Sequence, residues 1–147
     1  MLLQRQIKKQ IDALCANDTT GFKTAITALR HAKLLRGDTP DKYPIVVYSF
    51  LPTSGTYYFD SGSSPSTETL FVVFKILSAN TTNAVSTEAE NILEKLHGVY
   101  DGASLTLSGW SLREMLRDKR DGVVGPYVDD SGIWHLNTTY RLICDRL

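Results

Sequence analysis

The signatures of most enzymes are missing from this chain of 147 residues. No GxxxxGK[ST] phosphate loop and no GxGxxG run occurs, so neither of the common glycine-rich phosphate cradles can form. The G-x-S-x-G nucleophile elbow is absent too; Ser54-Gly55-Thr56 and Ser108-Gly109-Trp110 come nearest and do not match. Histidine is scarce. His31, His97 and His135 are the three, and no two of them stand four apart. Cys15 and Cys144 are the two cysteines, 129 positions apart. Metal-ligand spacing therefore fails, and the thiols read as small buried hydrophobes. Cys144 and His135 lie an odd number of residues apart in one extended segment, hence on opposite faces, and cannot pair as nucleophile and base. Asp129 and Asp130 are adjacent acids in a turn sequence, where neighbouring side chains diverge, a poor arrangement for general acid–base work. No enzyme, no cofactor and no metal is the expectation.

Long apolar runs are lacking as well. None reaches the roughly 18 residues that a membrane span requires. The start, MLLQRQIKKQ, has no continuous apolar signal segment. These features point to synthesis in a reducing cytoplasm, where the sequons at Asn17, Asn80 and Asn137 are chance. Net charge is also absent, with 16 Lys/Arg against 16 Asp/Glu. The balance is uneven, however. Residues 1–36 carry seven Lys/Arg against Asp12 and Asp18, and the remainder carries nine against fourteen Asp/Glu. A chain-wide nucleic-acid binder would be clearly basic. A small module binding nucleic acid through the basic N-terminal helices remains an alternative, as does an enzyme without a recognisable motif.

What is present suits one domain over 1–147, with an N-terminal helical part at 1–37 and a sheet-plus-helix part at 44–147. Leu3, Ile7, Ile11 and Leu14 form one helical stripe, with Gln4, Lys8 and Asp12 turned away. Phe22, Ile26 and Leu29 predict a second helix running on to Lys33 and stopped by Gly37, with His31 facing solvent. IVVYSFL (45–51) is a strand bracketed by Pro44 and Pro52. TLFVVFKIL (69–77) is apolar on both alternating faces. Leu70, Val72, Phe74 and Ile76 point one way; Phe71, Val73 and Leu77 point the other, with Lys75. Such a strand needs cover on both sides, from helices or from a neighbouring subunit. Val85, Ala89, Ile92, Leu93 and Leu96 predict a helix over 84–97, ended by His97 and by Gly98 at C′. VVGPYVDDSG reads as a loop with a hairpin connection, and 133–144 as a closing strand with Trp134, Leu136, Tyr140, Leu142 and Cys144 on its core face. This order predicts an α+β fold: a mainly antiparallel sheet with helices on one face, and a long hairpin or loop between the first two strands.

That loop, 53–68, is Ser/Gly-rich and holds Tyr57, Tyr58 and Phe59 in a row. Aromatics concentrate interface energy and small polar residues let the backbone adapt. The segment is therefore expected to dock on a neighbour; an ordinary flexible loop whose aromatics fold back on their own sheet is the other reading.

YPIVVYSF, a long polar insert, TLFVVFKIL, a helix ending AENILEKLHG, and GIWHLNTTYRLI after an acidic turn follow in succession over about residues 40–147. The succession resembles the tail-completion, or tail-terminator, family of long-tailed bacteriophages. The resemblance implies a small α+β subunit of the virion, assembled in the host cytoplasm. It implies a ring, usually a hexamer, on the head-facing end of the tail tube, which ends tube polymerisation and joins tail to head. Its partners would be further copies of itself, the tail tube protein and the head connector or neck protein. DNA would pass through the lumen without specific binding, and no membrane would be involved. No catalytic or cofactor residues come with the family. Within this reading, Tyr57, Tyr58, Phe59, Asp60, Phe71 and Val73 are the candidates for contact with a neighbour or the tube. Asp60, Glu68, Asp129 and Asp130 are candidates for an acidic lumen, which would not grip passing phosphates. Another neck protein, such as a stopper or adaptor, shares the layout and is the nearer alternative.

Overall fold

A computed structural model describes residues 2–39, 42–51, 55–56, 67–79, 87–118 and 123–147. Its centre is a pair of long antiparallel strands, β4 (Thr67–Ser78) and β7 (Trp134–Arg146), in register from Thr67–Asp145 to Ser78–Trp134. On the far side of β4 lie β2 (Ile45–Leu51) and the two-residue β3 (Gly55–Thr56), both antiparallel to it. On the far side of β7 lie β5 (Trp110–Arg117) and β6 (Val123–Val128), also antiparallel. A short strand β1 (Ala28–His31) joins β2 in parallel and forms one sheet edge.

Helices α1 (Leu3–Ala16) and α3 (Thr87–Tyr100) cover one face of this mainly antiparallel sheet, as expected for the α+β class. The apolar stripe of α1 is Leu3, Ile7, Ile11 and Cys15. Cys15, four residues beyond Ile11, takes the buried position that the sequence pattern assigns to Leu14, which is only half-buried. From α3 come Ala89, Ile92, Leu96 and Tyr100. The sheet answers with Val46, Tyr48, Leu70, Val72, Phe74, Ile76, Leu136, Tyr140, Leu142 and Cys144. Each large side chain buried in this layer contributes roughly 1.5–3 kcal/mol of transfer free energy. Aromatic contacts bind the layer together. Phe74 stacks on Tyr100 at 4.8 Å and meets Tyr48 and Tyr140 at 5.8 Å. Burial leaves each phenol needing a partner. Tyr48 donates to Asp12 Oδ1 at 2.6 Å, Tyr100 to the Ile11 carbonyl at 2.9 Å, and Tyr140 to Asp101 Oδ1 at 2.6 Å.

Six local expectations are corrected. The second helix, α2, spans only Phe22–Ala25. Ile26 is extended and Ala28–His31 forms β1. Thr24, Ile26 and Thr27 are β-branched, and pairing with Ile45–Tyr48 rewards an extended backbone more than a continued helix does. His31 accordingly does not face solvent freely; its ring lies half-buried, 5.1 Å from Tyr48 and 5.8 Å from Phe50. The helix predicted over 84–97 continues past Gly98 to Tyr100, because the buried Tyr100 ring repays the cost of a helical glycine; Val85 lies outside the described residues. VVGPYV is the strand β6 rather than a loop. Its register shift falls between Val124 and Tyr127. There Gly125 has φ +104°, and a Cβ on it would stand 2.7 Å from the His135 carbonyl oxygen, so the bulge needs glycine. The DDSG connection does close the hairpin, with Asp129 N–H donating to the Ile133 carbonyl and Gly132 N–H to the Asp129 carbonyl. Trp134, assigned to the core face of the closing strand, is half-buried. Asp12, assigned to the outer side of α1, instead accepts the Tyr48 hydroxyl at the margin of the core.

Candidate assembly surface

The opposite face of the sheet carries no helix among the described residues. Registers place Ile45, Val47, Ser49 and Leu51 there from β2, and Thr69, Phe71, Val73, Lys75 and Leu77 from β4. From β7 come His135, Asn137, Thr139, Arg141, Ile143 and Asp145. One end closes on itself. Ile45, Val47, Leu77 and Ile133 form a small buried cluster with Tyr43 and Ala79 against it. No described helix covers the rest. Phe71, Val73 and Ile143 are half-buried, and Leu51, Leu116, Val124 and Tyr127 are 40–51% exposed. Apolar side chains therefore recur on this face along β2, β4 and the β5–β6 edge, interrupted on β7 by Asn137, Thr139 and Arg141, and exposed apolar surface marks interaction sites in soluble proteins.

Most charges on and beside this face are internally compensated. Arg141 meets Glu114 at 3.0 Å. Arg113 grips Asp145 with two bonds, of 2.7 and 3.0 Å, and Asp145 also accepts the Thr67 hydroxyl. These donors, led by Arg113, hold the Asp145 carboxyl below its ordinary range. Arg30 meets Asp38 at 3.2 Å, and its hydrogen bonds likewise lower the Asp38 carboxyl. Lys75 is exposed and makes no ion pair among the described residues. A partner here would meet an apolar, nearly neutral surface.

The covered side holds a different polar site at its margin. The His97 ring contacts Thr138 Oγ1 through Nε2 at 3.1 Å and an Arg117 amino nitrogen through Nδ1 at 3.3 Å. Arg117 also pairs with Asp101 at 3.0 Å. Burial and the neighbouring Arg117 push the His97 pKa down, so the imidazole is neutral near pH 7, with Nδ1 accepting from the guanidinium. With Nδ1 taken by the guanidinium, Nε2–H donates to the Thr138 hydroxyl and cannot take its proton, so the arrangement fastens the end of α3 to β7. Among the described residues, no group of three or more His, Cys, Asp or Glu could hold a metal ion. No described helix is long and apolar enough to cross a membrane.

The residues singled out from sequence fall in three places. Phe71 and Val73 lie on the open face. Tyr57, Tyr58, Phe59 and Asp60 lie outside the described residues. Glu68 pairs in register with Gly55 and Cys144, at the end of β4 far from the β6–β7 turn. Asp129 and Asp130 occupy that turn. The Asp129 carboxylate is turned into its own hairpin, accepting the N–H groups of Ser131 and Ile133 and meeting His135 Nε2 at 2.8 Å. His135 and the backbone donors lower its pKa. Asp130 is exposed. Sequence reasoning missed Leu116, Val124 and Tyr127 as members of the open face. VVGPYV reads as a loop, which hides Val124 and Tyr127, and Leu116 joins them only through the pairing of β5 with β7.

No protein-family model matches the sequence, and no curated protein matches it. By fold, the chain is similar to one from the virion of a native gene transfer agent particle, with a TM-score of 0.66 at 14% sequence identity, covering 97% of this chain and 94% of that one.

Proposed function

We propose that this chain is a structural virion protein that assembles as a ring on the head-facing end of a phage-type tail tube, ends tube growth and joins tail to head. The observation that carries the proposal is the half-covered sheet: a single copy shields one face with α1 and α3 and leaves apolar Leu51, Val73, Leu116, Val124 and Ile143 unshielded by any described helix. Burying such side chains against neighbouring copies or the tube removes them from water without new secondary structure. The fold likeness to a virion chain and the order of elements support the same reading. A closed ring is built from heterologous contacts, in which one patch meets a different patch on the next copy. A sheet with chemically different edges suits that geometry. The hexameric number, the tube and connector as neighbours, and a neutral-to-acidic lumen passing DNA complete the proposal, with Glu68 as a lumen candidate.

Loss of the gene in the host that produces the particle should yield full heads separated from overlong tails, seen by negative-stain imaging. Normal joined particles would overturn the reading. Val73→Lys, on the open face, should leave a folded protein that fails to restore joining.

A further inference from the structure

A cleft of about 270 Å³ opens where α1 passes the β1–β2 edge of the sheet. Leu2, Gln4, Arg5, Lys8, His31 and Phe50 line it. Leu2 is 76% exposed and Phe50 half-buried, so the floor is apolar and wet. The Lys8 ammonium is already matched by Asp12 at 3.0 Å. Burial, and then the neighbouring Lys8, lower the His31 pKa, which leaves the ring neutral near pH 7. Arg5 is exposed and makes no ion pair among the described residues. The cleft therefore offers an apolar seat beside one uncompensated guanidinium.

The opposite edge of the sheet carries a matching knob. At the β6–β7 hairpin, Tyr127 and Val128 are each 49% exposed. Asp130 is exposed and unpaired among the described ion pairs, whereas Asp129 is consumed inside the turn. The knob is braced. Tyr127 lies flat on His135, ring centroids 4.8 Å apart and planes 1° from parallel, and Asp129 ties the turn to Ser131 and Ile133. A pre-organised knob loses little freedom on docking.

We propose that the β6–β7 hairpin of one copy seats Val128 in the α1/β1–β2 cleft of the next, with Tyr127 bracing the hairpin from the opposite face and Asp130 meeting Arg5. This rests on the ring reading above and names one of its contacts. Cleft and knob belong to opposite edges of one sheet, so no molecule can satisfy its own contact. Each copy presents both halves, which is the heterologous arrangement that closes a ring. Apolar fit supplies the seat, and the single opposed charge pair fixes the register. The excess of cations in residues 1–36 and of anions in the remainder has the same sense.

The test uses the full chain with Leu2→Cys and Val128→Cys combined, both at exposed positions, while Cys15 and Cys144 are buried. Under mild oxidation at high protein concentration the double variant should give a ladder of covalent multimers, and each single variant should stop at dimer. Absence of the ladder overturns the proposal. Separately, Arg5→Glu or Asp130→Lys should each weaken self-association about tenfold, as like charges come together at the rim, and the doubly reversed protein should recover it. No recovery overturns the charge pairing. If Arg5→Glu instead removes salt-dependent retention on duplex DNA and leaves self-association unchanged, the cleft is a phosphate site and the proposal falls. Annuli of the wild-type protein in negative stain without cross-linking would sink this contact and keep the ring. Cross-linked open chains without annuli would keep the contact and sink the ring.

Discussion

The two faces of this sheet are made from the same strands and have opposite fates. Along β4, Leu70, Val72, Phe74 and Ile76 are 0–4% exposed beneath the helices. One residue out of step, Phe71 and Val73 are half-buried and Lys75 is exposed. Phe71 and Val73 are as apolar as the residues beside them, so hydrophobicity alone does not separate the two faces. What separates them is supply: the described chain provides two long helices and spends both on one side. The covered face is where a single copy gets its stability. Apart from its closed end at Ile45, Val47, Leu77 and Ile133, the open face contributes little to a lone molecule and becomes valuable when another surface meets it.

The largest test of this contrast compares neighbours on one strand. Phe74→Ala removes a ring packed among Tyr48, Tyr100 and Tyr140 and should cost about 3–5 kcal/mol in urea unfolding. Val73→Ala should cost about 1 kcal/mol or less in the same assay. Equal costs would mean that the open face is packed after all. A smaller effect is expected from hydroxyls. Tyr100→Phe strands the buried bond to the Ile11 carbonyl and should cost about 1–2 kcal/mol. Tyr127→Phe, on the open side, should stay within about 0.5 kcal/mol.

Acid should separate the faces in order, with the smallest shifts in melting temperature. His97, at the margin of the covered side, has a folded pKa below its ordinary value of 6.5. The unfolded chain then binds the proton more readily, so stability is complete above that value and declines as pH falls through it toward the folded pKa. Asp145, on the open side, and Asp129 have folded pKa values below the ordinary 3.8, so their contributions are lost only as pH falls below that. Asp18 goes further. Desolvation opposes its charge, but hydrogen bonds from the Thr20 side chain and from the backbone at Thr20, Lys23 and Phe22 outweigh it and bring its carboxyl down to about 2. Melting temperature followed from pH 8 to 2 should show an upper step that His97→Gln abolishes and a lower one that it leaves intact. A single acid transition would break the distinction.

Much of the covered side was legible from spacing alone. The stripe Leu3, Ile7, Ile11 and the stripe Ala89, Ile92, Leu96 are local helical repeats, and 45–51, 69–77 and 133–144 are strands by their β-branched alternation. The open face was legible at β4 but not at β6, where Gly125 and Pro126 read as breakers yet sit in a bulge. The edge strand β1 was not legible. Phe22, Ile26 and Leu29 satisfy a helical period, and only the presence of Ile45–Tyr48 alongside makes an extended backbone the better choice.

From the sequence alone came the class of fold, the two long helices and the doubly apolar character of β4, because these depend on periods of 3.6 and 2 within a dozen residues. The tertiary structure decided which face those helices cover, turned Ala28–His31 into a strand, drew Tyr100 into the core, and set an apolar cleft and a braced hairpin at opposite edges. Those outcomes depend on pairings between residues far apart in the chain, whose free energies no local window contains.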